Sequence, residues 1–167
     1  VDVLEGTAWV FGDHVTTDQI YPGRYLERPL EEAGQYAMSG LDEGFAGRVR
    51  RGDFVVAGVN FGAGSSREAA VVALKQAGVA AVIARSFGRI FFRNAINNGL
   101  PAVIVPDTSG IRSGDRLRVD LNDRQVTVLG TGATLPILNL TGISMAILRA
   151  GGIVPFTEAR LAERRRA

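Results

Sequence analysis

The stretch "NFGAGSSRE", residues 60 to 68, concentrates more reactive side chains than any other part of the chain. Gly62 and Gly64 let the backbone turn tightly and approach a ligand closely. Two hydroxyls, Ser65 and Ser66, and a guanidinium, Arg67, follow. Arg67 can grip a carboxylate through two parallel hydrogen bonds. Hydrogen bonds to charged groups contribute roughly 1.5–3 kcal/mol each, against about 0.3–1 kcal/mol for a helix dipole at an exposed site. An arginine therefore dominates the affinity of such a loop for an anion. Two phosphate motifs fail here. A P-loop ends in Gly-Lys-Ser/Thr, and this loop has no lysine. The dinucleotide fingerprint has a third glycine where Arg67 stands. A simpler role fits the same residues: Ser65 or Ser66 caps a helix, with Glu68 closing a capping box. One hydroxyl is enough for a cap, so capping and ligand binding are compatible, and both stay open on the pattern alone.

The elements around the loop explain why it would face a ligand. "DFVVAGVN" reads as a buried strand after a turn at Arg51-Gly52-Asp53, and "SREAAVVALKQAG" as a helix that stops at Gly78. "VAAVIARS" reads as a second strand, "FGRIFFRNAINNG" as a second helix and "LPAVIVP" as a third strand. Strand, helix, strand, helix, strand predicts a parallel sheet with right-handed crossovers. The loop then lies between a strand's carboxyl end and a helix's amino end, where open α/β sheets bind ligands. Earlier, "TAWVFG" predicts a first strand, "DHVTTDQIYPGRYL" a loop and "LEEAGQYAMSG" a helix ending at Gly40. Later, "DRLRVDL" and "QVTVLG" alternate in and out and predict an antiparallel hairpin, followed by a short helix in "SMAILRAGG". The expected class is α/β, a three-layer β/β/α sandwich with a central parallel sheet and a second antiparallel sheet. Residues 1–167 are expected to form one domain, with a tail from about residue 156.

Composition narrows the chemistry. The 167 residues are 46% hydrophobic and 22% charged, ordinary values for a globular domain. There is no cysteine, which rules out disulfides and thiolate-held clusters within this chain, and His14 is the one histidine. Any metal would come from a partner. Net charge is +2, and Lys75 is the one lysine among 19 basic residues. The basic "ARLAERRRA" end reads as a solvated helix end rather than a nucleic-acid site. No apolar run approaches the roughly 18 residues of a membrane span, and the first residues lack the layout of a signal peptide. The expected location is the cytoplasm, with no nucleic-acid or membrane partner.

"GDHVTTDQIYPGRYL" together with "VNFGAGSSREAAVVALKQAGVAAVIARSFGRIFFRNAINNGLPAVIV" closely resembles the small subunit of isopropylmalate isomerase and homoaconitase, which is similar to the swivelling domain of aconitase. The resemblance runs over nearly the whole chain. It implies a hydro-lyase that removes water from a hydroxy di- or tricarboxylic acid and returns it with the opposite regiochemistry. It also implies a [4Fe-4S] cluster on a large-subunit partner, in a heterodimer or heterotetramer, with an active site between the chains. By the same resemblance Ser65 matches the catalytic base. Ser66 matches a substrate contact, Arg67 a carboxylate-binding residue and Asp18 an active-site aspartate. Tyr25, Leu26, Glu27 and Arg28 match a segment that tunes substrate choice.

Some positions depart from the family's usual pattern. Ala63 and Ala69 stand where cysteine and histidine are often found, which puts the substrate in question more than the reaction. Following Pro22-Gly23, the Tyr25–Arg28 segment is expected to be a mobile loop beside the pocket. In it Arg28 either binds a distal carboxylate or pairs with Glu27 at the surface. A substituted malate, 2-isopropylmalate first, is the expected substrate. A homoaconitase-type acid is the alternative, and a non-catalytic carboxylate-binding or regulatory module is the rival of another class.

Overall fold

A computed structural model describes residues 2–65 and 67–166. Seven strands form one mixed sheet: β1 (Val3–Val10), β2 (Phe54–Val56), β3 (Ala81–Ala84), β4 (Ala102–Ile104), β5 (Arg116–Asp120), β6 (Gln125–Val128) and β7 (Ala133–Pro136). Their spatial order is β4-β3-β2-β1-β5-β6-β7. β1 serves both halves. Its Ala8–Val10 end runs parallel to β2, and its Val3–Thr7 end runs antiparallel to β5. The expected parallel and antiparallel sheets are both present, joined on this one strand. The first strand begins earlier than "TAWVFG" suggested, because residues 3–6 pair with β5.

The parallel half is built from apolar runs with no polar alternation, the pattern of strands buried on both faces. Every residue of β2 and β3 is buried. Between them runs α3 (Glu68–Ala77), and between β3 and β4 runs α4 (Arg89–Asn97). Both connections step in the same direction, so right-handed crossovers put α3 and α4 on one face, where they touch. α3 buries Ala70, Val71, Ala73 and Leu74, and ends as expected at Gly78, whose N–H returns to Leu74 O and Lys75 O. The turn before β2 is held by Asp53. Its buried carboxylate accepts from Thr7 N, Trp9 Nε1 and Arg50 N.

Two segments differ from expectation. Residues 13–26 are not all loop. Thr16 and Gln19 form a reciprocal capping box, and α1 (Thr17–Ile20) follows. The expected helix at 30–40 is instead a 3-10 segment, Leu30–Tyr36. The reason is visible at Gln76 of α3. Its amide accepts from Gly34 N and donates to Leu30 O, at 2.9 and 2.8 Å. Those are the two groups an α-helical turn would join to each other. The remaining helices are α2 (Phe45–Arg48), α5 (Gly142–Ala150) and α6 (Ile153–Arg166). α6 buries no side chain, consistent with a solvated end. Among the described residues, no helix is long and apolar enough to cross a membrane.

Candidate functional site

The loop after β2 is stitched into place by its backbone. Gly62 N and Ala63 N donate to Val15 O, and Thr17 N donates to Ala63 O. On the other side Phe61 N donates to Ser86 O, and Gly88 N to Phe61 O. Gly62 has φ +83°, and a Cβ on it would lie 2.3 Å from the Phe91 ring, so only glycine fits there. Ala63 takes part through its backbone alone, and Ala69 packs half-buried against the core, so neither departure disturbs the loop's path. At the loop's far end, Thr17 Oγ1 donates to Ser65 O at 3.0 Å. The Ser65 side chain is exposed. It does not cap α3. The N-cap position is Arg67, in extended conformation, and among the described residues no side chain caps the first turn. Ser66 lies outside the described residues.

Arg67 is fixed rather than free. Its Nη1 donates to Asp18 Oδ1 at 2.7 Å and to Tyr21 O at 3.1 Å. Its side chain is 20% exposed and that of Asp18 65%. Asp18 Oδ1 also accepts from Gly23 N at 2.9 Å. The Arg67 guanidinium, and after it the Gly23 N–H, hold the Asp18 carboxyl below the usual aspartate range; Arg24 nearby adds to this. The fold thus brings together Asp18, Arg67 and the chain bearing Ser65, although the Leu30–Tyr36 segment, α2 and β2 lie between Asp18 and Ser65 in sequence. A guanidinium held at one nitrogen is aimed before any ligand arrives, and its remaining N–H groups can meet a carboxylate. Ser65 and Asp18 are exposed, so the face they share is reachable from solvent.

The Tyr25–Arg28 segment is not an irregular loop. It continues a 3-10 turn, Gly23–Tyr25, through Tyr25 N to Pro22 O, Leu26 N to Gly23 O and Arg28 N to Tyr25 O. Tyr21 is buried, which pushes its phenol pKa up and keeps it a donor; its hydroxyl donates to Tyr25 O at 2.8 Å. Leu26, Glu27 and Arg28 are exposed. The expected Glu27–Arg28 pair does not form. Among the described residues, the Arg28 side chain makes no ion pair or hydrogen bond.

Sequence reasoning missed Thr17 and Tyr21. Thr17 stands inside a Thr-x-x-Gln capping pattern that was there to be read. The Tyr21 carbonyl had no signal, since every residue has one.

The Aconitase C-terminal domain family matches residues 19–107. The chain is 51% identical to 3-isopropylmalate dehydratase small subunit 1 of Methanopyrus kandleri, over 92% of this chain and 91% of that protein. It is 45% identical to the methanogen homoaconitase small subunit of Methanocaldococcus jannaschii, over 95% and 93%. The crystal structure of 3-isopropylmalate dehydratase (leuD) from the same organism superposes with a TM-score of 0.94 at 42% identity, covering 99% of each chain. The chain therefore belongs to the aconitase C-terminal domain family, among the small subunits of 3-isopropylmalate dehydratase and homoaconitase.

Proposed function

We propose that this chain is the small subunit of a two-chain cytoplasmic hydro-lyase that converts 2-isopropylmalate to 3-isopropylmalate by dehydration and rehydration, a step of leucine biosynthesis. The observation that carries the reading is the pre-aimed Arg67 guanidinium, braced by Asp18 and Tyr21 O beside the exposed Ser65. Arg67 binds the carboxylate next to the reacting carbon. Ser65, as its alkoxide, takes the proton from that carbon and becomes a hydroxyl, the C–H electron pair becomes the double bond, and the neighbouring C–O bond breaks with its oxygen protonated and released as water. Rehydration reverses these steps with the two carbons exchanged. A serine hydroxyl is a poor base in water. It serves only in a positive, water-poor pocket, which Arg67 begins and a second chain must close. Ser66 is assigned a substrate contact beside it.

The chain's own donor set does not fit an iron–sulfur cluster. It has no cysteine, and the described residues hold no group of three His, Asp or Glu. In this reading a [4Fe-4S] cluster, the Lewis acid for the departing hydroxyl, is carried by the large subunit. A homoaconitase-type substrate is the second reading, favoured by one observation: the unpaired Arg28 offers a cation to an added carboxylate.

The test is anaerobic production with the large subunit, followed by turnover of both substrates. Ser65→Ala is expected to lower kcat by about 10²–10⁴-fold, the usual worth of general acid–base catalysis, with little change in KM. Near-normal turnover in that variant removes Ser65 from the chemistry. Dehydratase turnover by this chain alone overturns the two-chain reading.

A further inference from the structure

All three tyrosines of the chain meet beside the candidate site. Tyr25 and Tyr36 stack with ring centroids 4.0 Å apart and planes 10° apart. Tyr21 approaches both rings, at 6.2 and 6.4 Å, and the Arg24 guanidinium lies 4.7 Å from the Tyr25 centroid. The backbone of Tyr25 is gripped as well, by the Tyr21 hydroxyl on its carbonyl. Exposed Leu26 and Arg28 follow directly.

Tyr36 sits on a different element, and that element is tied to α3. Gln76 bridges Leu30 O and Gly34 N from the last turn of α3, while Arg67 stands at the other end of the same helix. Past Tyr36 the chain is locked again, by Met38 N to Ile20 O and Gly40 N to Gln19 O. A continuous rigid path therefore runs from Arg67 along α3 to Gln76, through the Leu30–Tyr36 segment, and across the ring stack to Tyr25. We infer that Tyr36 is a positioning residue for substrate choice. By stacking on Tyr25 it sets the place of Leu26 and Arg28 relative to Arg67, and so the distance between the groups that read a substrate's substituent and the group that holds its reacting end.

This inference rests on the hydro-lyase reading above. It assigns Tyr36 no contact with substrate. It also assigns no work to the Tyr36 hydroxyl, which makes no hydrogen bond to a described residue. The ring alone matters, so phenylalanine should substitute and an aliphatic side chain should not. Losing the stack leaves Ser65 and Arg67 where they are and frees Leu26 and Arg28 to wander. The loss falls on KM for the preferred substrate and spares kcat.

The experiment compares wild type, Tyr36→Phe and Tyr36→Leu in the reconstituted complex, with 2-isopropylmalate and homoaconitate as the two probes. Tyr36→Leu is expected to raise KM for the preferred probe by about two- to tenfold, the range that an aromatic pair of this geometry contributes. The ratio of kcat/KM values for the two probes moves toward unity by the same factor, and Tyr36→Phe behaves as wild type. A second readout needs no activity. Limited trypsin cleavage of the Arg24–Tyr25 bond in the folded, isolated chain is faster in Tyr36→Leu and unchanged in Tyr36→Phe. Should Tyr36→Leu fail to fold, Gln76→Ala releases the same segment from an exposed position and should shift the probe ratio in the same direction. An unchanged ratio and cleavage rate in Tyr36→Leu, or a Tyr36→Phe variant as altered as Tyr36→Leu, overturns the inference. A wild-type complex inert toward both probes overturns the hydro-lyase reading instead; cleavage then decides alone whether Tyr36 holds the turn.

Discussion

Gly62→Ala tests how the candidate loop is held, and its cost can be worked from two separate observations. Gly62 has φ +83°, in the left-handed region, where an L-residue with a Cβ costs about 1–2 kcal/mol. A Cβ there would also lie 2.3 Å from Phe91 Cγ and 2.4 Å from Phe91 Cβ. Phe91 is buried, so relief means moving the core, an overpacking cost of about 1–3 kcal/mol. The sum is about 2–5 kcal/mol. For a chain of this length each kcal/mol lowers Tm by roughly 2–4 °C, so a fall of about 4–20 °C is expected. Gly64 supplies the control. Its φ is +106°, but the nearest described atom to a Cβ, beyond its chain neighbours, is Thr17 Oγ1 at 3.6 Å, an ordinary contact. Gly64→Ala should cost the backbone strain alone, about 1–2 kcal/mol. In a Phe91→Ala background the Gly62→Ala penalty should fall, though not to that level, because the ring is gone while the Cβ at position 91, 2.4 Å from the added methyl, remains. Thermal and urea unfolding followed by circular dichroism measure all of these. Equal penalties for Gly62→Ala and Gly64→Ala, or no coupling to Phe91, would refute the argument that the ring is what demands glycine.

Arg67→Lys keeps the charge but loses the planar fork that bonds Asp18, Tyr21 O and a ligand together. KM in the reconstituted complex is expected to rise about 10–150-fold, the loss of one charge-assisted hydrogen bond, with a smaller change in kcat; an unchanged KM removes Arg67 from substrate binding. Asp18 has a carboxyl pKa lowered from 3.8, so its pairing contributes stability above about pH 4 and loses it as pH falls through the lowered value. Melting temperatures of wild type and Asp18→Asn should therefore differ near pH 6 and converge in acid below that range; a gap that persists unchanged in acid refutes the pairing. Arg28→Ala should leave 2-isopropylmalate turnover within about twofold and cost a tricarboxylate about tenfold or more, since only the latter can use the cation. A hundredfold shift in the kcat/KM ratio would make the tricarboxylate the native substrate.

The parallel half was legible because its signals are local. Phe54–Val56 and Ala81–Ala84 are apolar without alternation, and Gly78 stops α3 where the sequence places a stop. The place of the loop at residues 62–64 between β2 and α3 was legible for the same reason. The Leu30–Tyr36 segment was not, because its composition is helical and only a distant side chain, Gln76, separates it from an α-helix. β7 was missed because it is four residues long, ends on Pro136 at the edge of the sheet and pairs only with β6. In the site, the type of Arg67 was informative but its bracing was not. A backbone carbonyl at Tyr21 and a glycine N–H at position 23 carry no mark in sequence, and they set the aim of the guanidinium and the charge on Asp18.

The division of β1 between two partners has a consequence during synthesis. From β2 to β4, and again from β5 to β7, each strand pairs with the one made just before or after it. β1 is the exception. Its Ala8–Val10 end meets β2 early, but its Val3–Thr7 end pairs with Arg116–Asp120 and stays an open edge until they emerge. Such an edge is a template for strand addition by another chain, and contacts this distant in sequence form slowly. A chain cut before Arg116 would keep Asp18, Ser65 and Arg67 and still expose that edge. By pairing with Val3–Thr7, Arg116–Asp120 closes that edge, so the antiparallel half is what seals the sheet once the chain is complete to that point.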